Sequence, residues 1–491
     1  MKNKTIYLYP RCEDSSNLAV TLDFLKERGI VGDYCYIDDA RREESLVCNL
    51  NKIRANGELW IVHQDENIAR ILWDNARNSL NEEFIFDGII KVENILVKYV
   101  KNLECDFEDV SYQQWLNHIS RFVLSFGIFL QNHKSKSIVF ILKEIGDKAT
   151  HYFQKFYKIP KKSVGVYGSN YLNNKHYGDI IDILKKQGIS VYVFSEIGYL
   201  GYFINFLDMF ALSIRTLMPF ANVIKTKTQH IYIPHAYIDP IASLVQRNRP
   251  LDGFWFKKKF GINGYRIVPS HSNYLIYKDK AEELGYEDEI VCGGYPSLDV
   301  NIEEYEKVKC EDGNNILIAI HEKENLNVIK KLIVVVLEKN KQKLIFRPYP
   351  SHKNDSDFIA LKNTFKNNQN FIYDDSPKLT AEMMKNCCVL IGDWSSLVWT
   401  FPFTTLKPAI LLFQDKKILE NSYNGVKFYN PTIHLIASNV DELLSCIEES
   451  QKNTKKRAEE IFEFRKKEVF NLGHSSEFIA DFIIKKFNEL K

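Results

Sequence analysis

Short apolar runs rich in Val, Ile, Tyr and Phe alternate along the chain with segments whose apolar residues recur at three- and four-residue steps. TIYLYP (Thr5–Pro10), DYCYID (Asp33–Asp38) and ELWIVH (Glu58–His63) read as strands, with a helix over Leu18–Glu27 that ends near Gly29. From Asn81 to Asn132 the strand signal stops, and Trp115, Ile119, Phe122, Val123 and Phe126 repeat at helical spacing. A second strand series begins near Ser137: SIVFIL, SVGVYG (Ser163–Gly168), ISVYVF (Ile189–Phe194), HIYIPH (His230–His235), YRIVPS (Tyr265–Ser270) and EIVCGGYP (Glu289–Pro296). A third comprises NILIAI (Asn315–Ile320), KLIFRP (Lys343–Pro348), NFIYDD (Asn370–Asp375), CVLIGD (Cys388–Asp393) and PAILLF (Pro408–Phe413), before a Lys/Glu-rich helix over Thr454–Phe470. Strands alternating with helices in this way predict parallel α/β layers.

The charged stretch Asn301–Asn315 between the second and third series is the expected interdomain boundary. The chain therefore divides into an accessory α/β and helical region (1–130), a first α/β domain (131–305) and a second (306–491). Open parallel sheets bind ligands outside the carboxyl ends of their strands. Candidate chemistry is accordingly sought directly after each strand.

Composition narrows the class. The 491 residues carry 65 Lys and Arg against 63 Asp and Glu, a net charge of +2, which excludes a generally nucleic-acid-coating protein and an acidic disordered tail. The nine cysteines are scattered without a Cys-x-x-Cys pair, as expected for reduced thiols in the cytoplasm. The opening MKNKTIYLYPRCEDS has no apolar run of a signal peptide, which gives the same expectation. Gly201–Phe220 is long enough to span a bilayer but includes Asp208 and Arg215. Each charge would cost about 2.5–3.5 kcal/mol at mid-membrane, so the stretch reads as a buried or surface-docking helix. Lys257-Lys258-Lys259 beside Phe254, Trp255 and Phe256 reads as a solvated face or as a contact for anionic lipid or polymer. No phosphate-loop or His-Glu-x-x-His signature is present.

Three segments carry chemistry. In VLIGDWSSLVWTFPFTTLKPAILLF (Val389–Phe413) a strand ends at Gly392–Asp393, and Ser395–Ser396 open a helix. Hydroxyls and unpaired N–H groups there suit an anion, though serine is equally an ordinary cap. In LIFRPYPSH (Leu344–His352), Arg347 follows a strand as a candidate phosphate clamp, with Tyr349 and His352 beside it. In HIYIPHAYIDP (His230–Pro240), a strand delivers His235, either a structural histidine or a general base; Asp239 would orient it or act as base itself. His321-Glu322, after another strand, reads by default as solvated loop, with a place in the cleft lining as the alternative.

Between about Ile231 and Phe413, the order of these segments resembles the CDP-glycerol glycerophosphotransferase family, the teichoic-acid and capsule polymerases. Asp393-Trp394-Ser395-Ser396 with Lys407-Pro408 is similar to the family's Asp-Tyr-Ser-Ser and Lys/Arg-Pro, and Arg347-Pro348 to its Arg-Pro-His-Pro. His235 is similar to the histidine of its Trp-His-Gly-x-Pro, and Gly294, Pro296 and Asp299 to a Gly-x-Pro-x-x-Asp ending expected to form a hinge and cleft wall. The chain departs from the family at Tyr349 for histidine, at Thr400 for an acidic residue, and at Pro234 and Ala236 for Trp and Gly.

The resemblance implies a GT-B fold, two Rossmann-like domains facing a cleft. It also implies donor binding by Arg347, Tyr349, His352, Ser395 and Ser396, and an acceptor-side base at His235 or Asp239. The implied reaction moves a polyol phosphate from a CDP-activated donor to a polysaccharide or lipid-linked acceptor. It takes place in the cytoplasm or peripherally on the inner face of the membrane. A divalent metal could share the diphosphate charge, but the sequence has no dedicated cage for one. Two alternatives stay open: a GT-B glycosyltransferase using a CMP-sugar or other nucleotide sugar, and a non-catalytic binding module.

Overall fold

The computed structural model describes scattered residues between 5 and 78, then 162–167, 174–194, 211–215, 228–238, 241, and 264–490 apart from 340, 341, 350, 351, 354 and 377. The expected strand SIVFIL, the helical stretch Asn81–Asn132, the Lys257–Lys259 run and the candidate base Asp239 lie outside the described residues. Of the predicted helix Leu18–Glu27, residues 19, 22, 23 and 26 are described, and all four are helical. Two compact units divide the chain. One comprises Met1–Lys162, Phe194–Phe210 and Met218–Thr228; the other comprises Ser163–Val193, Ala211–Leu217 and Gln229–Lys491.

In the first unit β1 (Ile6–Tyr9) pairs in parallel with β2 (Tyr34–Ile37) and β4 (Glu58–Ile61), and β3 (Val47–Cys48) extends the sheet beyond β2. Tyr7, Tyr9, Ile37, Leu59 and Ile61 bury one face of it.

The larger unit is built on two parallel sheets. The first contains β5 (Val164–Tyr167), β6 (Val191–Phe194), β7 (Leu212–Arg215), β8 (Gln229–Tyr232), β9 (Gly264–Ile267) and β10 (Ile290–Val291), in the order β10-β9-β8-β7-β5-β6. Helices α1 (Ile180–Lys186), α2 (His271–Leu284) and α3 (Pro296–Lys307) belong to this half. The helix expected over Gly201–Phe220 is corrected here: Leu212–Arg215 is an interior strand, paired in parallel with β5 and β8. Only Leu212 and Ile214 of its four residues are apolar, and so short an alternation inside an aromatic run does not stand out from a helical pattern. The rest of that stretch, residues 201–210 and 216–220, lies outside the described residues. No helix among the described residues is long and apolar enough to cross a membrane.

The connection between the two sheets falls inside the expected stretch Asn301–Asn315. Helix α3 runs on to Lys307, so the connection to the second sheet is only Val308–Asn314. The charges that read as a linker are the solvated face of a helix, with Lys307 paired to Glu303 one turn earlier.

The second sheet carries β11 (Asn315–Ala319), α4 (Leu326–Lys339), β12 (Leu344–Phe346), α5 (Ser356–Phe365), β13 (Phe371–Tyr373), α6 (Ala381–Lys385) and β14 (Cys387–Gly392). Then come α7 (Leu397–Thr405), β15 (Ala409–Leu412), a small hairpin of β16 (Ser422–Tyr423) and β17 (Val426–Lys427), β18 (His434–Ala437) and α8 (Val440–Ser450). The strand order β13-β12-β11-β14-β15-β18 reads 3-2-1-4-5-6 in chain order, the dinucleotide-fold arrangement.

Its strands are apolar throughout because both faces are covered. Leu317, Ile345, Leu390 and Leu411 face one core with Val398, Trp399 and Met384. Ile316, Ile318, Phe346, Ile391 and Ile410 face another with Ile329, Leu332, Phe358 and Leu443. The first of these cores also takes in Tyr237, Ile276, Tyr277 and Leu298, so the two halves of the unit share one apolar interior.

The chain then runs through α9 (Thr454–Glu468) and returns to the first sheet as α10 (Ser475–Glu489). Ile479, Ala480, Ile483 and Phe487 pack with Val164, Ile214, Ile231 and Ile267. The Gly-x-Pro-x-x-Asp segment anchors this crossover. Asp299 accepts hydrogen bonds from the backbone N–H of Gly473 (2.8 Å) and Ser475 (3.0 Å), capping α10 from α3. Burial still pushes its carboxyl above the ordinary range, against the pull of those donors. The larger unit is thus an α/β fold of GT-B type with two Rossmann-like sheets, and the smaller unit has a parallel sheet of its own.

Candidate functional site

The connections leaving β11 and β14 diverge to opposite sides of the second sheet, which opens a crevice outside their adjoining carboxyl ends. Gly392 ends β14 where a Cβ would stand 3.0 Å from the carbonyl oxygen of Ala319 and 2.7 Å from Val398, so only glycine lets strand and helix approach so closely. Asp393 follows, fully buried. Its carboxylate accepts the backbone N–H groups of His321 (2.7 Å) and Glu322 (2.9 Å) and the side-chain amide of Asn325 (3.0 Å). It therefore fixes the loop after β11 against the loop after β14. Burial pushes this carboxyl up to about 6, and the three donors oppose the shift.

Ser395 and Ser396 open α7, with Ser396 at the N-cap position and no side-chain cap hydrogen bond from it into the helix. Ser395 Oγ accepts the N–H of Leu397 at 3.2 Å, while Ser396 Oγ lies at the long distance of 3.5 Å from the N–H of Ile238. Behind them α7 is almost wholly buried. Thr400, which stands where the resembled family has an acidic residue, turns its hydroxyl back onto the Ser396 carbonyl at 3.2 Å. Trp399 Nε1 donates to Phe428 O (3.1 Å). His434 Nδ1 accepts from Asn430 N (3.0 Å), which leaves Nε2 to donate to Val398 O (3.0 Å). Full burial holds this imidazole neutral, with its pKa lowered to about 3. The start of α7 is thus a rigid platform.

The end of β12 divides the expected donor residues. Arg347 turns toward the end of β13, where Nη1 pairs with Asp374 and with Ser376 Oγ (3.2 Å), and Nη2 donates to Ser376 O (2.8 Å). Both arms of the fork are engaged within the protein, tying β12 to β13. Tyr349 and His352 instead meet at the crevice, together with His321. The ring centroids of His321 lie 4.6 Å from Tyr349 and 5.2 Å from His352. His352 Nδ1 bonds Asp355 at 2.8 Å, and its ring stacks on Phe358 at 5.6 Å. His321 Nδ1 bonds Glu322 at 3.1 Å. Lys323 pairs with Asp355 at 2.9 Å.

The remaining candidate, His235, lies beyond the carboxyl end of β8 and is half-buried. Its carbonyl accepts the Tyr295 hydroxyl at 3.1 Å. The loop it begins is pinned to α7: Tyr237, buried, stacks on Trp399 at 6.0 Å and meets Phe403 edge-on at 5.6 Å, and its carbonyl accepts Asn273 Nδ2 at 3.0 Å. Through Ile238, the same loop reaches Ser396. The His235 loop of the first sheet and the serine pair of the second are therefore neighbours.

Asp393 is legible in the sequence only as part of the serine motif, and His321 only as cleft lining, the alternative to solvated loop; the structure shows what each contacts. The signal for both is their position directly after β11 and β14, the same criterion that selected the serines. A cavity of about 360 Å³, lined in part by Cys388, Lys407, Ser450, Thr454 and Arg457, lies at the opposite, amino edge of β14 and β15. There Lys407, the basic residue of the Lys-Pro motif, is held by the carbonyls of Lys385 (3.0 Å) and Cys387 (2.8 Å) and by Asp312 (3.2 Å). Among the described residues, no group of three or more His, Cys, Asp or Glu is arranged to hold a metal ion.

No protein-family model and no curated protein matches the chain. Among solved structures it is similar to the wall teichoic acid polymerase TagF, at 14% identity over 77% of this chain and 98% of that chain, with a TM-score of 0.49. It is also similar to UDP-GlcNAc 2-epimerase from Methanocaldococcus jannaschii, at 14% identity over 66% of this chain and 99% of that chain, with a TM-score of 0.43.

Proposed function

We propose that this protein is a transferase that binds a nucleotide-activated donor at the β11/β14 crevice. We propose further that the donor is a CDP-activated polyol phosphate, with CDP-glycerol the first candidate. The observation that carries the reading is the bond line from Ile238 to Ser396, which sets the loop bearing His235 against the anion-suited start of α7. An acceptor hydroxyl and a donor diphosphate held there would stand within reach of each other. The choice of a CDP-polyol over other nucleotide donors rests on the resemblance of the Asp-Trp-Ser-Ser and Arg-Pro segments, quoted above.

In the reaction, His235 takes the proton of the acceptor hydroxyl as its oxygen attacks the polyol-side phosphorus. The new O–P bond forms as the bond to the bridging oxygen breaks, and CMP leaves with that oxygen. Asp393 keeps the two strand-end loops in register, and the neutral His434 braces α7 from behind. Catalysis of this kind comes from alignment and charge stabilisation. A cell-surface polymer or its lipid-linked precursor is the acceptor we favour, with the protein acting at the cytoplasmic face of the membrane. A divalent ion sharing the diphosphate charge belongs to the same proposal.

The test is nucleotide release from a panel of CDP-polyols, CMP-sugars and UDP-sugars. CMP from CDP-glycerol is the expected outcome. CMP from a CMP-sugar or UDP from a UDP-sugar would make the protein a glycosyltransferase, and no release from any donor would remove the enzymatic reading.

A further inference from the structure

We infer that His321 and His352 together form the phosphate-receiving face of the donor crevice, with Glu322 and Asp355 as their positioning residues. This rests on the nucleotide-donor reading above and adds to it the groups that meet the donor's charge. Three observations carry it. First, Arg347, the cation expected there, is committed to Asp374 and Ser376. Second, Tyr349 has no charge to offer at neutral pH, yet both imidazoles pack against its ring, at 4.6 and 6.0 Å. Third, the two histidines are built alike. Each spends Nδ1 on a neighbouring carboxylate and keeps Nε2 for another partner. Both side chains remain partly open to solvent, at 26% and 21%.

The consequence is chemical. With Nδ1–H given to a carboxylate, a neutral ring offers only a lone pair at Nε2, which repels phosphate oxygen. A protonated ring offers Nε2–H, a charge-assisted donor. Phosphate binding at this face therefore takes up protons. The charged and titratable groups around the pair are Glu322, Lys323 and Asp355 on the flanking turns, the phenol of Tyr349, and Asp393 behind the His321 backbone. Lys323 pairs with the same Asp355 carboxylate that holds His352 Nδ1.

The experiment is calorimetric titration of the full chain with CDP at about pH 6 and about pH 8.5, on either side of the imidazole range. Wild type, His321→Gln, His352→Gln and Asp355→Asn are compared, with thermal melts to establish folding. A charge-assisted hydrogen bond lost from either histidine lowers CDP affinity about tenfold or more at the lower pH. The loss shrinks severalfold at the higher pH. The terminal phosphate of CDP titrates near pH 6 as well. That contribution is common to every variant and cancels in the ratio to wild type. Asp355→Asn leaves both rings in place and should reproduce part of the His352→Gln loss. Folded His321→Gln and His352→Gln proteins that bind CDP within twofold of wild type at both pH values, while wild type releases CMP from a donor, would overturn this face and leave the donor reading intact. A wild type that binds no CDP and turns over no donor would remove the donor reading, and this inference with it.

Discussion

At the scale of single residues, the crevice is held by two buried ionisable groups whose pH dependences oppose each other. Burial raises Asp393 from an ordinary 3.8 to about 6, so the folded state holds that proton more tightly than the unfolded chain does. Its contribution is present at low pH and is lost as pH rises from about 4 to about 6. His434 runs the other way. Its pKa falls from 6.5 to about 3, so folding favours the neutral ring, and that contribution is lost as pH drops below 6.5. At about 1.4 kcal/mol per pH unit of displacement, each effect amounts to a few kcal/mol, and the larger displacement belongs to His434. Urea midpoints measured from pH 7 to pH 4 should therefore fall on acidification. His434→Gln, whose amide can still donate to Val398 O, should flatten or invert that fall between pH 6 and 4. Asp393→Asn should steepen it in the same interval, because the opposing carboxyl is gone. A pH profile unchanged by either substitution would mean that neither group titrates as its burial requires.

At the scale of elements, the crossover from α9 to α10 ties the chain end to the first sheet at one crowded point. Gly294 adopts φ +91, and a Cβ there would lie 2.3 Å from the carbonyl oxygen of Phe470 and 2.3 Å from Ser475 Oγ. Gly294→Ala meets both the left-handed backbone penalty and a clash with backbone that cannot swing away. The expected result is a loss of about 2 kcal/mol or more in global stability. Faster amide exchange in Ser475–Glu489 should accompany it, because that helix depends on the Asp299 cap and the adjoining turn. Exchange in α4 and α8, on the far face of the second sheet, should accelerate only at amides that open through global unfolding. This element also marks where sequence reading fell short. The strands of the third series were legible because each is a continuous apolar run between turn residues, and all five were found. Helix α10 was passed over because its apolar face answers to Val164, Ile214 and Ile231, hundreds of residues earlier, and no local pattern reveals such a partner. β18 was missed for a similar reason: its centre is one Leu-Ile pair, and its edge place beside β15 is a tertiary fact.

At the scale of the whole molecule, the two sheets divide the proposed reaction, and the division can be measured. The serine pair and the histidine face lie after strands of the second sheet, while His235 lies after β8 of the first. The sequence segments of both halves each fall immediately after a strand, which is the criterion that selected them. The partners of Arg347 were not legible in the sequence, since the Asp374 and Ser376 that engage it follow a different strand and only the fold brings them near. If the halves have separate tasks, their variants must fail differently. Ser395→Ala with Ser396→Ala removes two hydroxyls at the start of α7, each worth about 1.5–3 kcal/mol to a charged phosphate, so CDP affinity should drop at least tenfold. The same double variant should stay folded, because Leu397 and Ile238 lose only one partner each at a half-exposed helix start. His235→Ala should bind CDP as wild type does, yet lose about 10²–10⁴ of its transfer rate, the usual worth of a general base. Paired measurement of CDP affinity and CMP release on both variants separates the outcomes. Loss of binding in His235→Ala would move that histidine into the donor pocket. Full turnover in His235→Ala would leave Asp239, four residues on in the sequence, as the residue to substitute next, and retained activity in Asp239→Ala as well would remove the acceptor-side assignment altogether.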